Sequence, residues 1–248
     1  MRHWQDLAWP QFEEEGVGAR VALLPVGALE AHGPHLPVGT DLLISEAMAR
    51  EGARLLAADG YRPLLLPALA YAPAPFAEEF PGTLSIRPDT LAALVVDIAR
   101  SLADQGIGVL ALANSHFDPA NLDALARARD EIASDRRLRL VYPELTRRRL
   151  AERLTEEFRS GACHAGRFET SIVLAERPDL VHEGIRHRLP EVPVSLVDAI
   201  GAGKRTFREA GGERAYFGAP AHASVAEGRA TVALLGEILA ESVREALA

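Results

Sequence analysis

Glu30 and His32 stand two residues apart in the segment GALEAHGPHLPVGTD, residues 27–41. In an extended stretch successive side chains alternate, so a carboxylate and an imidazole at this spacing face the same side. Both are ligand types for a divalent ion such as zinc. Gly27, Gly33, Pro34, Pro37 and Gly39 make the segment an irregular loop. Such a loop can return Asp41 to the same place just as a helix begins, where an ionised carboxylate is favoured. His35 reads equally as a further ligand or as a structural residue of the loop.

A second cluster is ALANSHFDPAN, residues 111–121, in which His116 and Asp118 follow an apolar run and precede a helical one. That is the carboxyl end of a strand, where open α/β sheets place their ligands. A third is CHAGRFETS, residues 163–171, with His164 and Glu169 in a loop that leads into an apolar helix. Glu30 has no solvated face in its Gly/Pro-rich, apolar surroundings. Taken together, Glu30, His32, Asp41, His116 and Asp118 form a set of hard and borderline ligands that points to a metal. His3, His182, His187 and His222 read as surface or structural residues. Cys163 beside His164 invites a nucleophile reading, but nucleophile and base are normally neighbours in space rather than in sequence. No glycine-rich nucleotide loop occurs in a strand-to-helix setting.

The elements that must position these residues alternate. Residues 21–26 read as a strand, 27–39 as a loop, and 41–58 as a helix with Thr40 or Asp41 as its N-cap. A strand is expected at 62–69, then an irregular stretch at 71–85, long enough to serve as a substrate-side lid. Helices follow at 88–105 and 119–133, strands at 109–113 and 139–142, a charged helix at 144–159 and a long terminal helix at 222–248. Strands separated by helices indicate βαβ units. The expected fold class is α/β, a layered α/β/α arrangement with a mainly parallel central sheet, in a single domain over 1–248.

With 248 residues, 48% of them hydrophobic and 25% charged, the chain is long enough for a full core and is neither disordered nor a disulfide miniprotein. A formal charge of −8 argues against nucleic acid as a partner. The single cysteine excludes an internal disulfide and a thiolate zinc cluster, which leaves imidazole and carboxylate to hold any metal. No secretory signal or membrane-length apolar run is present, so a cytoplasmic location and no membrane partner are expected.

The chain resembles the creatininase (creatinine amidohydrolase) family. The residues that carry the resemblance are LLPVGALEAHGPHLPVGTD at 23–41, FPGTLSI at 80–86, NSHFDPAN at 114–121, HAGRFETS at 164–171 and FGAPAHASVAEGR at 217–229. The resemblance implies a layered α/β fold, a binuclear divalent metal centre and hydrolysis of an amide bond other than a peptide bond. It also implies a homo-oligomer, commonly a hexamer. By the same resemblance Asp41 bridges both metals, Glu30 binds one and His32 the other, and His116 is a further ligand. Asp118 stands where creatininase has a glutamate that binds metal and handles a proton, His164 falls on an active-site histidine, and Glu169 on a family glutamate at the metal or next to it.

Phe117 occupies the place of a tyrosine that contacts substrate, and the loop FRSGAC before His164 lacks the tryptophan and acids that close over creatinine. Substrate contacts are expected from Phe117 and Tyr71, within specificity loops at 71–80 and 159–163. The expected reaction is hydrolysis of a cyclic amide, a formamide or a similar small-molecule amide by a metal-bridging hydroxide, with His164 or Asp118 protonating the leaving nitrogen. Zn²⁺ is the expected ion, with Mn²⁺ or Fe²⁺ as alternatives. The competing readings are a peptidase that trims a cofactor-precursor peptide, a dinuclear phosphoesterase, and a metal-stabilised oligomer without activity.

Overall fold

A computed structural model of the chain describes residues 2–13, 20–162 and 164–248; Cys163, and with it the nucleophile reading, lies outside the described residues. The sheet strands are β1 (Arg2–His3), β2 (Arg20–Val26), β3 (Arg62–Leu65), β4 (Val109–Asn114) and β5 (Arg139–Val141), in the order β1-β3-β2-β4-β5. Every pairing is parallel. The helices are α1 (Trp9–Glu13), α2 (Thr40–Ala58), α3 (Pro88–Asp104), α4 (Pro119–Ile132), α5 (Arg148–Ala151), α6 (Glu156–Ser160), α7 (Arg167–Glu176), α8 (Glu183–Arg186), α9 (Leu196–Gly201) and α10 (Val225–Leu247).

Alternation along β2 and β4 creates the layers. Val21 and Leu23 of β2, with Val109, Ala111 and Ala113 of β4, face a core shared with Met48 of α2, Ile172 of α7 and Leu239 of α10. Ala22, Leu24, Val26, Leu110 and Leu112 face the opposite way, onto Leu91 and Val95 of α3 and Leu125 of α4. Both strands are buried on both faces and therefore read as continuous apolar runs. No helix among the described residues is long and apolar enough to cross a membrane.

Four element expectations change. The strand at 62–69 ends its ladder at Leu65, although Leu69 still donates to the Pro25 carbonyl at 3.0 Å; Pro25 and Pro67 have no N–H to continue it. Helix α2 starts at Thr40, so the cap position falls on Gly39, which has no side chain to cap with, and the Thr40 hydroxyl donates instead to the Pro37 carbonyl at 2.7 Å. The Asp41 carboxylate is thereby left free of capping. The helix expected at 144–159 divides into α5 and α6, since the Thr155 hydroxyl accepts from the Phe158 N–H and starts a new helix. The terminal helix begins at Val225 with Ser224 as its cap, after a separate 3-10 turn at Pro220–His222.

The stretch expected as a substrate-side lid, at 71–85, packs against the fold through part of its length while Tyr71, Glu78, Glu79 and Leu84 stay exposed. Ala72, Ala74 and Ala77 are fully buried, and the Ser85 hydroxyl accepts from the Ala74 N–H at 3.0 Å.

Helix α10 reaches α7 and α2 through glycines. A Cβ on Gly228 would overlap the Ser171 carbonyl, and one on Gly52 of α2 would lie 2.9 Å from Leu239 Cδ2. Gly228→Ala should therefore destabilise the fold by about 1–3 kcal/mol, despite the gain of up to about 1 kcal/mol that alanine brings to an exposed helix. The midpoint of denaturant unfolding measures this; an unchanged or raised midpoint would show that α10 can shift away from α7.

Candidate metal centre

In the register of β2 against β4, Val26 lies beside Asn114 at the carboxyl end of the sheet. The loop after β2 and the loop after β4 therefore leave the sheet as neighbours, which brings Glu30 and His32 to His116. Gly27 is required where it stands: a Cβ there would lie 2.8 Å from the Asp41 carbonyl carbon and the Leu42 nitrogen. The absence of that atom lets the loop lie against the first turn of α2. Ser115 donates its hydroxyl to the Asp41 carbonyl at 2.6 Å, tying the end of β4 to the same turn. The loop before α7 supplies His164, and the first turn of α7 supplies Glu169.

Glu30, His32, Asp41, His116, His164 and Glu169 are all buried. They form three compact groups of potential ligands: Glu30, Asp41 and His116; His32, Asp41 and Glu169; and Glu30, His32 and His164. Asp41 belongs to two groups. His116 Nδ1 is 3.0 Å from Asp41 Oδ2 and 3.3 Å from Glu30 Oε1, while His32 Nε2 is 3.3 Å from Asp41 Oδ1 and 3.6 Å from Glu169 Oε2.

Each imidazole is anchored on its other nitrogen. His32 Nδ1 lies 3.0 Å from the Glu30 carbonyl, His116 Nε2 2.7 Å from the Pro73 carbonyl, and His164 Nε2 2.9 Å from the Ala31 carbonyl. A carbonyl only accepts, so the anchored nitrogen carries the hydrogen. The remaining nitrogen is then turned toward carboxylates, an arrangement typical of metal-binding histidines held by outer hydrogen bonds. Glu30 Oε2, His32 Nε2, Asp41 Oδ2 and His116 Nδ1 are buried without a hydrogen-bond partner. Buried polar atoms of this kind are costly unless something satisfies them. The mixed nitrogen and oxygen donors suit Zn²⁺ and Mn²⁺.

The protonation pattern has the same origin. Burial opposes charge on His32, but Asp41, Glu169 and Glu30 outweigh it and lift the imidazole to about 10. His116 is raised in the same way, burial being outweighed by Glu30 and Asp41. Asp41 and Glu30 are held below the ordinary carboxylate range, against burial, by His32 and His116 and by His116 and His164 respectively. Burial, reinforced by Asp41 and Glu30, pushes Glu169 up to about 8. Burial and the charge of His32 hold His164 down at about 4.

The expected residues are not all used alike. Asp118 lies at the same cavity but outside the three ligand groups. Its Oδ1 accepts from the Ala120 N–H at 2.8 Å as the cap of α4, and its Oδ2 accepts from the Phe76 N–H at 3.2 Å. His35 does not join the groups; it is fully buried, with Nε2 2.9 Å from the Thr170 hydroxyl beside Glu169. Phe117 lines the cavity, edge-on to Phe158. Tyr71 is 54% exposed and does not line it; its loop turns Phe76 inward instead. Sequence reasoning missed Phe76, Phe207, Leu196 and Val197, which line the cavity from distant segments. It also passed over Asn114 and Asn121, whose side-chain amides donate to the His116 carbonyl at 2.8 Å. Both asparagines stand in the NSHFDPAN segment, and that was their signal.

The creatininase family model, described as creatinine amidohydrolase, matches residues 5–243. The chain belongs to the creatininase family. The creatinine amidohydrolase of Pseudomonas putida is 33% identical over 192 residues, covering 71% of this chain and 72% of that protein. The mycofactocin precursor peptide peptidase of Mycobacterium tuberculosis (strain ATCC 25618 / H37Rv) is 34% identical over 215 residues, covering 84% and 78%. A solved Mn creatininase superposes with a TM-score of 0.73 at 26% identity over 98% of both chains. A mutant creatininase of Zn–Zn type gives 0.72 at 25% identity, over 98% of this chain and 97% of that one. The layered parallel fold is thus that of the creatininases.

Metal uptake should release protons. Below pH about 8, an ion at His32, Asp41 and Glu169 displaces the protons of both His32 and Glu169, whereas one at Glu30, Asp41 and His116 displaces that of His116. As pH falls, the group with Glu169 should lose its ion first, and the more steeply. Metal content per chain across a pH series, with calorimetry in buffers of different ionisation enthalpy, tests this; equal pH dependence of both ions would contradict it. With one ion at each of these two groups, Asp41→Asn should lower metal content at both, because its carboxylate belongs to both, while His116→Ala should lower it at one.

Proposed function

We propose that this creatininase-family hydrolase cleaves a C–N amide bond other than an ordinary peptide bond, in a cyclic amide, a formamide or a similar small molecule, at a centre for two divalent ions. The observation that carries the reading is the set of three imidazoles, each fixed by a main-chain carbonyl and each turning its free nitrogen to a buried carboxylate. Glu30, Asp41 and His116 would hold one ion and His32, Asp41 and Glu169 the other, with Zn²⁺, Mn²⁺ or Fe²⁺ as the ions the donors accept. Divalent ions bound there would lower the pKa of a water and polarise the amide carbonyl.

The chain's own residues manage the protons and exclude solvent. His164 is neutral at pH 7, so its Nδ1 can take a proton from the attacking water and return it to the leaving nitrogen. Asp118, pushed up to about 6 by burial, is a second proton carrier at the cavity wall. The aromatic lining keeps bulk water from the reacting bond. Peptide trimming is the second reading, supported by the peptidase relative that covers 84% of the chain. The homo-oligomeric, hexameric assembly and cytoplasmic setting implied by the family resemblance belong to the same proposal.

Hydrolysis of an amide panel should disappear on chelation and return with Zn²⁺ or Mn²⁺, while the fold persists by circular dichroism. Loss of stability on chelation, without hydrolysis before or after, would favour a structural metal. His164→Asn should keep its ions and lose about 10²–10⁴-fold in kcat. Asp118→Asn should flatten the acid limb of the pH–rate profile near 6; an unaltered profile would remove Asp118 from proton transfer.

A further inference from the structure

Beside the ligand groups lies a cavity of about 190 Å³. Glu30, Asp41, His116, His164 and Glu169 form its inner end, and Phe76, Phe117, Leu122, Leu196, Val197 and Phe207 form most of the remaining wall. These six side chains come from four separate stretches of the chain. The Phe207 ring lies 4.3 Å from the His164 ring at 34°, and 6.1 Å from Phe76. It therefore extends the inner end directly into an apolar surface.

The wall has little to offer a charged group. Among the described residues that line it there is no lysine or arginine. Ser115 has already donated its hydroxyl to the Asp41 carbonyl, and both oxygens of Asp118 accept main-chain N–H groups. An anionic substituent entering this space would lose its water and find no cationic side chain on the wall, and a cationic one would meet only Asp118, whose two oxygens are already held by main-chain N–H groups. An apolar cavity of about 150 Å³ accepts a benzene ring, so the volume here is that of one ring or a branched aliphatic group. Val197, 59% exposed at the start of α9, puts a further apolar side chain on the same lining, where a bound apolar group would cover it.

We propose that the site selects amides whose flanking substituent is uncharged, apolar and about the size of one aromatic ring, with Phe207 and Phe76 as the contacts that set this specificity. The inference rests on the metal-centre reading above and goes beyond it by naming the substrate class.

Hydroxamates test it, because their head group chelates a divalent ion whatever the natural substrate. Binding of acetohydroxamate, phenylacetohydroxamate and the 4-amidino and 4-carboxy derivatives of the latter is measured by calorimetry on the Zn²⁺- or Mn²⁺-loaded protein. Phenylacetohydroxamate should bind at least about tenfold more tightly than acetohydroxamate, and both charged derivatives should lose that gain. Phe207→Leu should narrow the ratio of phenyl to acetyl affinity, with circular dichroism reporting the fold. Val197→Asp, at an exposed position that need not disturb the core, should shift preference toward the amidino derivative. Equal affinities for the neutral and charged rings, or ratios untouched by both variants, would overturn the specificity while leaving the metal centre in place. Failure of acetohydroxamate itself to bind would overturn the metal centre, and this inference with it.

Discussion

Glu30, Asp41 and Glu169 are buried within one small volume, and their mutual repulsion in a weakly polar interior must be neutralised for the site to exist. Without ions, protons do this: two imidazoles are held charged beside Asp41, and Glu169 retains its own proton. Divalent ions would supply the same charge in more concentrated form and give Glu30 Oε2, His32 Nε2, Asp41 Oδ2 and His116 Nδ1 the partners they lack. The imidazoles cannot swing to pair more closely with the acids, because main-chain carbonyls of Glu30, Ala31 and Pro73 hold their other nitrogens. The protein thus fixes the ligand directions and leaves the charge to be supplied.

That fixation depends on close backbone approach at the carboxyl end of the sheet. Gly27 lets the loop after β2 touch the start of α2, and Ser115 ties the end of β4 to the same turn. The loop that carries Pro73 and Phe76 is joined to the next strand end through His116 and Asp118. Ala165, with φ of 50°, points its N–H at Glu169 Oε2 at 2.6 Å. This left-handed conformation in a residue with a Cβ costs of order 1 kcal/mol or more and survives where the surroundings over-determine it. Here it turns the chain between His164 and Glu169 so that both reach the same site.

The site divides into an ionic end and an apolar end, and Phe207 stacked on His164 is the boundary. Water excluded by the aromatic wall strengthens every electrostatic interaction at the inner end. The same exclusion explains why Asp118 behaves differently from Asp41 although both are buried. Asp118 has main-chain N–H partners and a distant imidazole, so burial dominates and its carboxyl rises; Asp41 has two imidazoles against it, so its carboxyl falls.

The alternation of short apolar runs with helical spacing determined the parallel sheet and its two helical layers, because strand and helix periods are local properties of the chain. Glu30, His32, Asp41, His116, His164 and Glu169 could be named from residue type and from the segments that resemble the creatininase family. Local pattern did not determine the division of the helix at 144–159, since Thr155 competes with helix continuation through a single hydroxyl contact. Nor could it separate Asp118 from the ligand groups or exchange Tyr71 for Phe76, because both outcomes depend on how the 71–85 stretch packs against the end of β4. The apolar wall from Phe76 to Phe207 was decided by tertiary structure alone: it joins residues more than a hundred positions apart, and nothing in the spacing of a sequence records contacts across that distance.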